Sequence, residues 1–112
     1  MTYDSILTAI ADPTRRGIFE ELRTGPKSVA HLAQTRPVSR PAVSQHLKIL
    51  EAAGLVSATP VGAARHYRAI PGGLAPLRDY LDEMWGDVLT AFAKEVSNQL
   101  EEDNARTRDQ ND

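Results

Sequence analysis

The sequence predicts a mainly α domain of about five helices that carries one small two-stranded β-hairpin. Three observations predict it. Apolar residues recur at helical spacing along most of the chain, Gly and Pro punctuate the gaps, and only the stretch 56–69 trades that period for two short runs around a glycine. The 112 residues, 41% hydrophobic and 25% charged, have the size and composition of one globular domain. The expected organisation is one folded domain over 1–100 and a disordered acidic tail over 101–112, where Ala105 is the one apolar residue.

Asp4 or Ser5 can cap a first short helix carrying Ile6, Leu7 and Ile10. Asp12-Pro13 then reads as an N-cap with proline at the first helical position, opening a second helix with Ile18, Phe19 and Leu22 inward and Thr24-Gly25-Pro26 as its stop. Ser28 caps a third helix with Val29, Leu32 and Ala33 inward, and Arg36-Pro37 ends it because a residue before proline avoids the helical region. Ser39 caps a fourth helix over 40–53. Its Pro41 falls in the first turn, where an N–H lacks a partner anyway, Val43, Leu47 and Leu50 form its buried stripe, and Gly54 closes it.

The hairpin over 56–69 turns at Val61-Gly62-Ala63-Ala64. Beyond Pro71-Gly72-Gly73, a last helix from Leu74 to about Leu100 carries Leu77, Leu81, Met84, Trp85, Val88, Leu89, Phe92 and Val96. At 1.5 Å per residue it would be roughly 40 Å long, more than so small a domain can cover, so its far end should meet a partner or water.

The chain has no cysteine, which excludes disulfides, thiolate metal sites and a cysteine nucleophile. No apolar run approaches the roughly 20 residues of a membrane span and the first ten residues do not read as a signal peptide, so a cytoplasmic protein without a membrane partner is expected. The net charge of −2 hides an uneven split. Residues 1–70 hold nine Lys and Arg against five Asp and Glu, a charge of +4, whereas residues 71–112 hold four against ten, a charge of −6. A basic working surface followed by an acidic segment is the reading.

Three short helices, a fourth entered by a tight turn, and a hairpin follow the order of a helix-turn-helix with a β-wing. With Val43, Leu47 and Leu50 inward, the rotation of 100° per residue sends Arg40, Ser44, Gln45 and Lys48 outward from the fourth helix. These are side chains suited to DNA. Arg can pair bidentately with guanine and Gln with adenine, while Ser and Lys take phosphates.

The stretch Ser39-Arg-Pro-Ala-Val-Ser-Gln-His-Leu-Lys-Ile-Leu-Glu-Ala-Ala-Gly-Leu-Val56 resembles the recognition helix of ArsR-type winged-helix repressors, and Ala11-Asp-Pro-Thr-Arg-Arg16 resembles the start of their second helix. Tyr67 on the second wing strand also fits the family's pattern, and the resemblance runs from residue 5 to about 97. It implies a homodimeric transcriptional repressor on a palindromic operator. It implies DNA contacts at Ser39, Arg40, Ser44, Gln45, His46, Lys48 and, in the wing, Arg65. It also implies a dimer interface of the first and last helices, here Ile6, Leu7, Leu81, Met84, Trp85, Val88 and Phe92. The wing departs from the family, since Val61-Gly62-Ala63-Ala64 is neutral where relatives are basic.

Metal-sensing relatives carry cysteines in the third helix or Asp and His pairs in the last. Here the third helix reads Ser28-Val-Ala-His-Leu-Ala-Gln34, and the last offers Asp79, Asp82, Glu83 and Asp87 without histidine, so the reading is a metal-independent branch with no metal and no cofactor. His46 either contacts DNA or bonds within the fold, and Arg15, Arg16 and Arg23 either steer DNA or pair with acids of the chain. No phosphate loop, triad or metal-ligand spacing speaks for an enzyme. The competing reading is a winged-helix protein-interaction module that binds no DNA. A small-molecule effector is left open, and the apolar seam near Met84, Trp85 and the first helix is where it would be sought.

Overall fold

Most helices begin on a side chain that the sequence places for the purpose. In the computed structural model, which describes the backbone of residues 2–111 and the side chains of residues 2–107, α1 spans Tyr3–Ala11 and α2 spans Pro13–Leu22. The Asp12 carboxylate accepts the Arg15 amide at 2.9 Å, and Pro13 takes the first helical position of α2. The cap of α1 differs from expectation. It is Thr2, whose extended backbone lets Oγ1 accept the Ser5 amide at 3.4 Å, so Asp4 and Ser5 lie inside the first turn.

Ser28 Oγ accepts the His31 amide at 3.1 Å at the start of α3 (Val29–Gln34), and Ser39 Oγ accepts the Ala42 amide at 3.3 Å at the start of α4 (Arg40–Ala52). α4 ends one residue before the sequence boundary, in a double closure: Gly54 N donates to Glu51 O at 3.0 Å and Leu55 N to Leu50 O at 3.0 Å. Gly54 sits at φ 76°, a left-handed conformation that a Cβ would strain.

Two strands, β2 (Val56–Val61) and β3 (Ala64–Ala69), pair antiparallel from Val56↔Ala69 to Val61↔Ala64. Their two-residue turn places Gly62 first at φ 61° with Ala63 at negative φ, as a type II′ hairpin requires. A third strand joins them: β1 (Lys27–Ser28) pairs with β3 through Lys27↔Tyr67 and Ser28↔His66, giving the order β1-β3-β2. Two residues are too few to show an alternating pattern, so β1 has no signature of its own in the sequence.

The chain divides into two compact units, Met1–Arg78 and Asp79–Asp112. In the first, Ile6, Ala9, Ile18, Phe19, Leu22, Leu32, Val43, Leu47, Leu50, Ala53, Leu55, Val56 and Tyr67 form one buried cluster, with Leu74 and Leu77 packed partly against it. Ile6, expected at a subunit seam, is fully buried in this core, while its neighbour Leu7 is exposed. The helical period explains the difference, because Ile6 and Ala9, three residues apart, share the buried face of α1.

The second unit belongs to α5 (Ala75–Asn111), 37 residues long. Residues 101–111, expected to be a disordered tail, are helical as far as described; Asp112 lies outside the described residues. Glu, Ala and Arg favour a helix once a preceding turn exists, since propagation costs far less than nucleation. Thr107 Oγ1 also donates back to Asp103 O at 3.0 Å. Among the described residues, no helix is long and apolar enough to cross a membrane.

Candidate nucleic-acid interface

α4 is anchored along one side and open along the other. Val43, Leu47 and Leu50 are fully buried, and this fixes the rotation of the helix. Arg40, Gln45 and Lys48 are accordingly exposed and Ser44 half-exposed, the four residues that the period sends outward. Ser39 is exposed at the N-terminus, its hydroxyl already holding the Ala42 amide. The first turn therefore presents Arg40 from a capped, rigid end rather than from a frayed one.

Arg15, on α2, links the C-terminus of α1 to α4. Its Nε donates to Ala9 O at 2.6 Å and its Nη2 to Thr8 O at 3.3 Å, so the guanidinium closes the C-terminus of α1. The same side chain brings Nη1 to 3.4 Å from His46 Nδ1 on α4. Arg16 Nη1 donates to Ile10 O at 2.8 Å. Both arginines satisfy carbonyls that a helix end leaves open. His46 is half-buried and bonded within the fold through Nδ1. The sequence reading offered Arg15 and Arg16 only DNA or acids of the chain as partners and missed this closure, and the reach of Arg15 to His46 spans 31 positions.

In the turn before α4, Arg36 Nη1 donates to Glu21 Oε2 at 2.7 Å and Nη2 to Gly17 O at 2.6 Å, tying that turn to α2. Both side chains are mostly shielded, at 18% and 21% exposure, so this pair is screened less than a surface one. Asp12 carries a lowered pKa. The Arg15 amide is the main cause, partly opposed by desolvation and assisted by His46 and the Arg15 charge.

In the wing, Arg65 and Arg68 are exposed on β3 and Tyr67 between them is buried against the core. Arg65 stands opposite Pro60, one pair in from the neutral tip. In α5, Leu81, Met84, Trp85, Val88, Leu89 and Phe92 are all exposed, Trp85 at 61% and Phe92 at 66%. Among the described residues, no three His, Asp or Glu side chains converge as a metal site would need.

Residues 10–57, from the end of α1 through α4 to the start of β2, match the family described as a helix-turn-helix domain. The chain is 49% identical over 96 residues to the HTH-type transcriptional regulator Rv2034 of Mycobacterium tuberculosis, covering 86% of this chain and 90% of that protein. The solved ArsR-like transcriptional regulator from Rhodococcus sp. RHA1 superposes with a TM-score of 0.70 at 35% identity, over 82% of this chain and 90% of that one. The chain belongs to the ArsR-type winged helix-turn-helix regulators.

As an ArsR-type regulator it is a DNA-binding regulator of transcription, and its relatives are regulators, not enzymes. It is also 41% identical over 70 residues to the HTH-type transcriptional repressor SmtB of Mycobacterium tuberculosis, a match covering 62% of this chain and 52% of that protein. The matched helix-turn-helix holds every outward-facing residue of α4.

Proposed function

We propose that this ArsR-type regulator is a homodimeric repressor that binds a palindromic operator through α4 and the wing. The observation that carries the reading is the outward face of α4, with Arg40, Gln45 and Lys48 exposed on a helix whose opposite face is fully buried. Arg40 and Gln45 read base edges in the major groove, Ser39, Ser44 and Lys48 take phosphates or nearby edges, and Arg65 meets the backbone beside the groove. His46, held through Nδ1 by Arg15, orients the helix and reaches DNA only through its other nitrogen.

Dimerisation is supported by α5. Leu81, Trp85, Val88 and Phe92 recur at spacings of four, three and four, the seam of two helices packing side by side. Soluble chains seldom leave so large an apolar stripe in water. Met84 and the exposed Leu7 of α1 extend the proposed interface. Two copies place two α4 helices in successive major grooves about 34 Å apart. Occupancy of a promoter then blocks transcription, the role that SmtB's description names for that relative. A cytoplasmic location follows from that role.

The test is selection of operators from random duplexes with purified protein, followed by gel shift at several salt concentrations. One enriched inverted repeat, bound with a steep salt dependence, is expected. Recovery of no preferred sequence and no salt-dependent retardation would instead favour a protein-interaction module.

A further inference from the structure

The unit Met1–Arg78 holds a cleft that no residue of the proposed DNA-contacting set lines. The end of α2, the end of β3 and the segment entering α5 border an open cleft of about 410 Å³, with Phe19, Ile70 and Leu74 as apolar lining and Arg23 and Arg78 among the lining residues. That volume lies within the range of small-molecule sites, about 300–1,000 Å³. No Asp or Glu lines the cleft. The Arg23 guanidinium is exposed and has no ion pair among the described residues. A cleft of mixed apolar and polar lining, with the Arg23 guanidinium at it and no acid, is complementary to a molecule with a hydrocarbon body and one carboxylate.

The cleft wall is also joined to the end of α4. Ile70 N donates to Leu55 O at 2.9 Å, next to the glycine closure of that helix. A Cβ on Gly73 would stand 2.8 Å from Gly54 O, so the two backbones are in close contact there. A ligand that displaces the segment 70–73 must move the α4 closure with it, since packed backbone of this kind does not absorb a shift locally.

We propose that this cleft is an effector site for a small apolar monocarboxylic acid, an aryl or short acyl carboxylate, held by Arg23 and lying on Phe19, Ile70 and Leu74. Its coupling to α4 rests on the DNA-binding reading above; its occupancy by the acid does not.

The experiment titrates the full chain, without DNA, with phenylacetate and hexanoate, with their neutral amides phenylacetamide and hexanamide, and with inorganic phosphate. Binding is followed by amide chemical shifts and calorimetry. The acids should bind at least about tenfold more tightly than the amides, with shifts centred on residues 19–23 and 69–78. Arg23→Gln should abolish the preference for acid over amide while leaving the thermal midpoint unchanged. Arg23→Lys, which keeps a cation at the position, supplies a second variant and should retain part of that preference. Equal binding of acid and amide, phosphate binding as tightly as the acids, absence of saturable binding, or shifts centred on Trp85 and Phe92 would each overturn the site. In a second arm, a saturating acid should change operator affinity by at least about fivefold. Unchanged operator affinity with binding established would overturn the coupling, and failure to bind any operator would count against the DNA-binding reading while leaving the first arm intact.

Discussion

At Asp12 one carboxylate both starts α2 and makes the fold sensitive to acid. Its pKa is lowered chiefly by the Arg15 amide, so the folded chain holds this group ionised at a pH where the unfolded chain has begun to protonate it. The stabilisation is present above the ordinary value of 3.8 and is lost as pH falls through the lower folded value. Asp12→Asn preserves a capping oxygen without the charge. Urea midpoints followed from pH 6 downward should fall less steeply for the variant than for the wild type in the acid range. The side chains proposed to read DNA differ in what their loss should remove. Arg40→Ala should cost roughly 1–3 kcal/mol of operator affinity and relax preference at one base pair, whereas Lys48→Ala should weaken all sequences alike and lower the salt slope by about one unit. Fluorescence anisotropy on the selected operator and a permuted duplex measures both. The outward set Arg40, Ser44, Gln45 and Lys48 was legible because a fixed rotation per residue and three apolar positions determine it. The Arg15–His46 contact was not, because no local pattern links residues on helices two apart in sequence.

Capping chemistry made most of the elements readable. Asp12, Ser28 and Ser39 each accept the amide three residues on, and the left-handed glycine after α4 is where the apolar stripe stops. β1 left no trace because a two-residue strand is defined by its partner β3 and not by its own composition. The extent of α5 was underestimated for a related reason: polarity signals the loss of a buried face, while helix continuation depends on propensity and on the turn already formed. The closure of α4 has a measurable weight. Gly54→Ala forces a side chain into the left-handed region and should cost about 1–2 kcal/mol, read as a lower denaturation midpoint at constant slope. Leu47→Ala, at a position with no exposure, should cost about 2–5 kcal/mol by the same measurement. Because Leu47 also fixes how α4 is rotated, its operator affinity should fall even under conditions where the variant is folded.

For the molecule as a whole, the division of charge is the largest electrostatic feature, with +4 over residues 1–70 and −6 over residues 71–112. The half that carries α4 and the wing is the cationic one, which favours approach to a polyanion and makes the association rate fall as salt rises. The proposed self-association draws mainly on the other half. Trp85→Asp places a carboxylate in the middle of the apolar stripe and should shift the chain to a monomer in sedimentation, with operator affinity falling because two half-sites no longer bind as one. An unchanged dimer in that variant would move the interface off α5. The stripe also supplies its own reporter. Trp85 is the sole indole in the chain and stands 61% open to water, so its emission should move to shorter wavelength when a second molecule covers it, and dilution alone would trace the monomer–dimer equilibrium without a label.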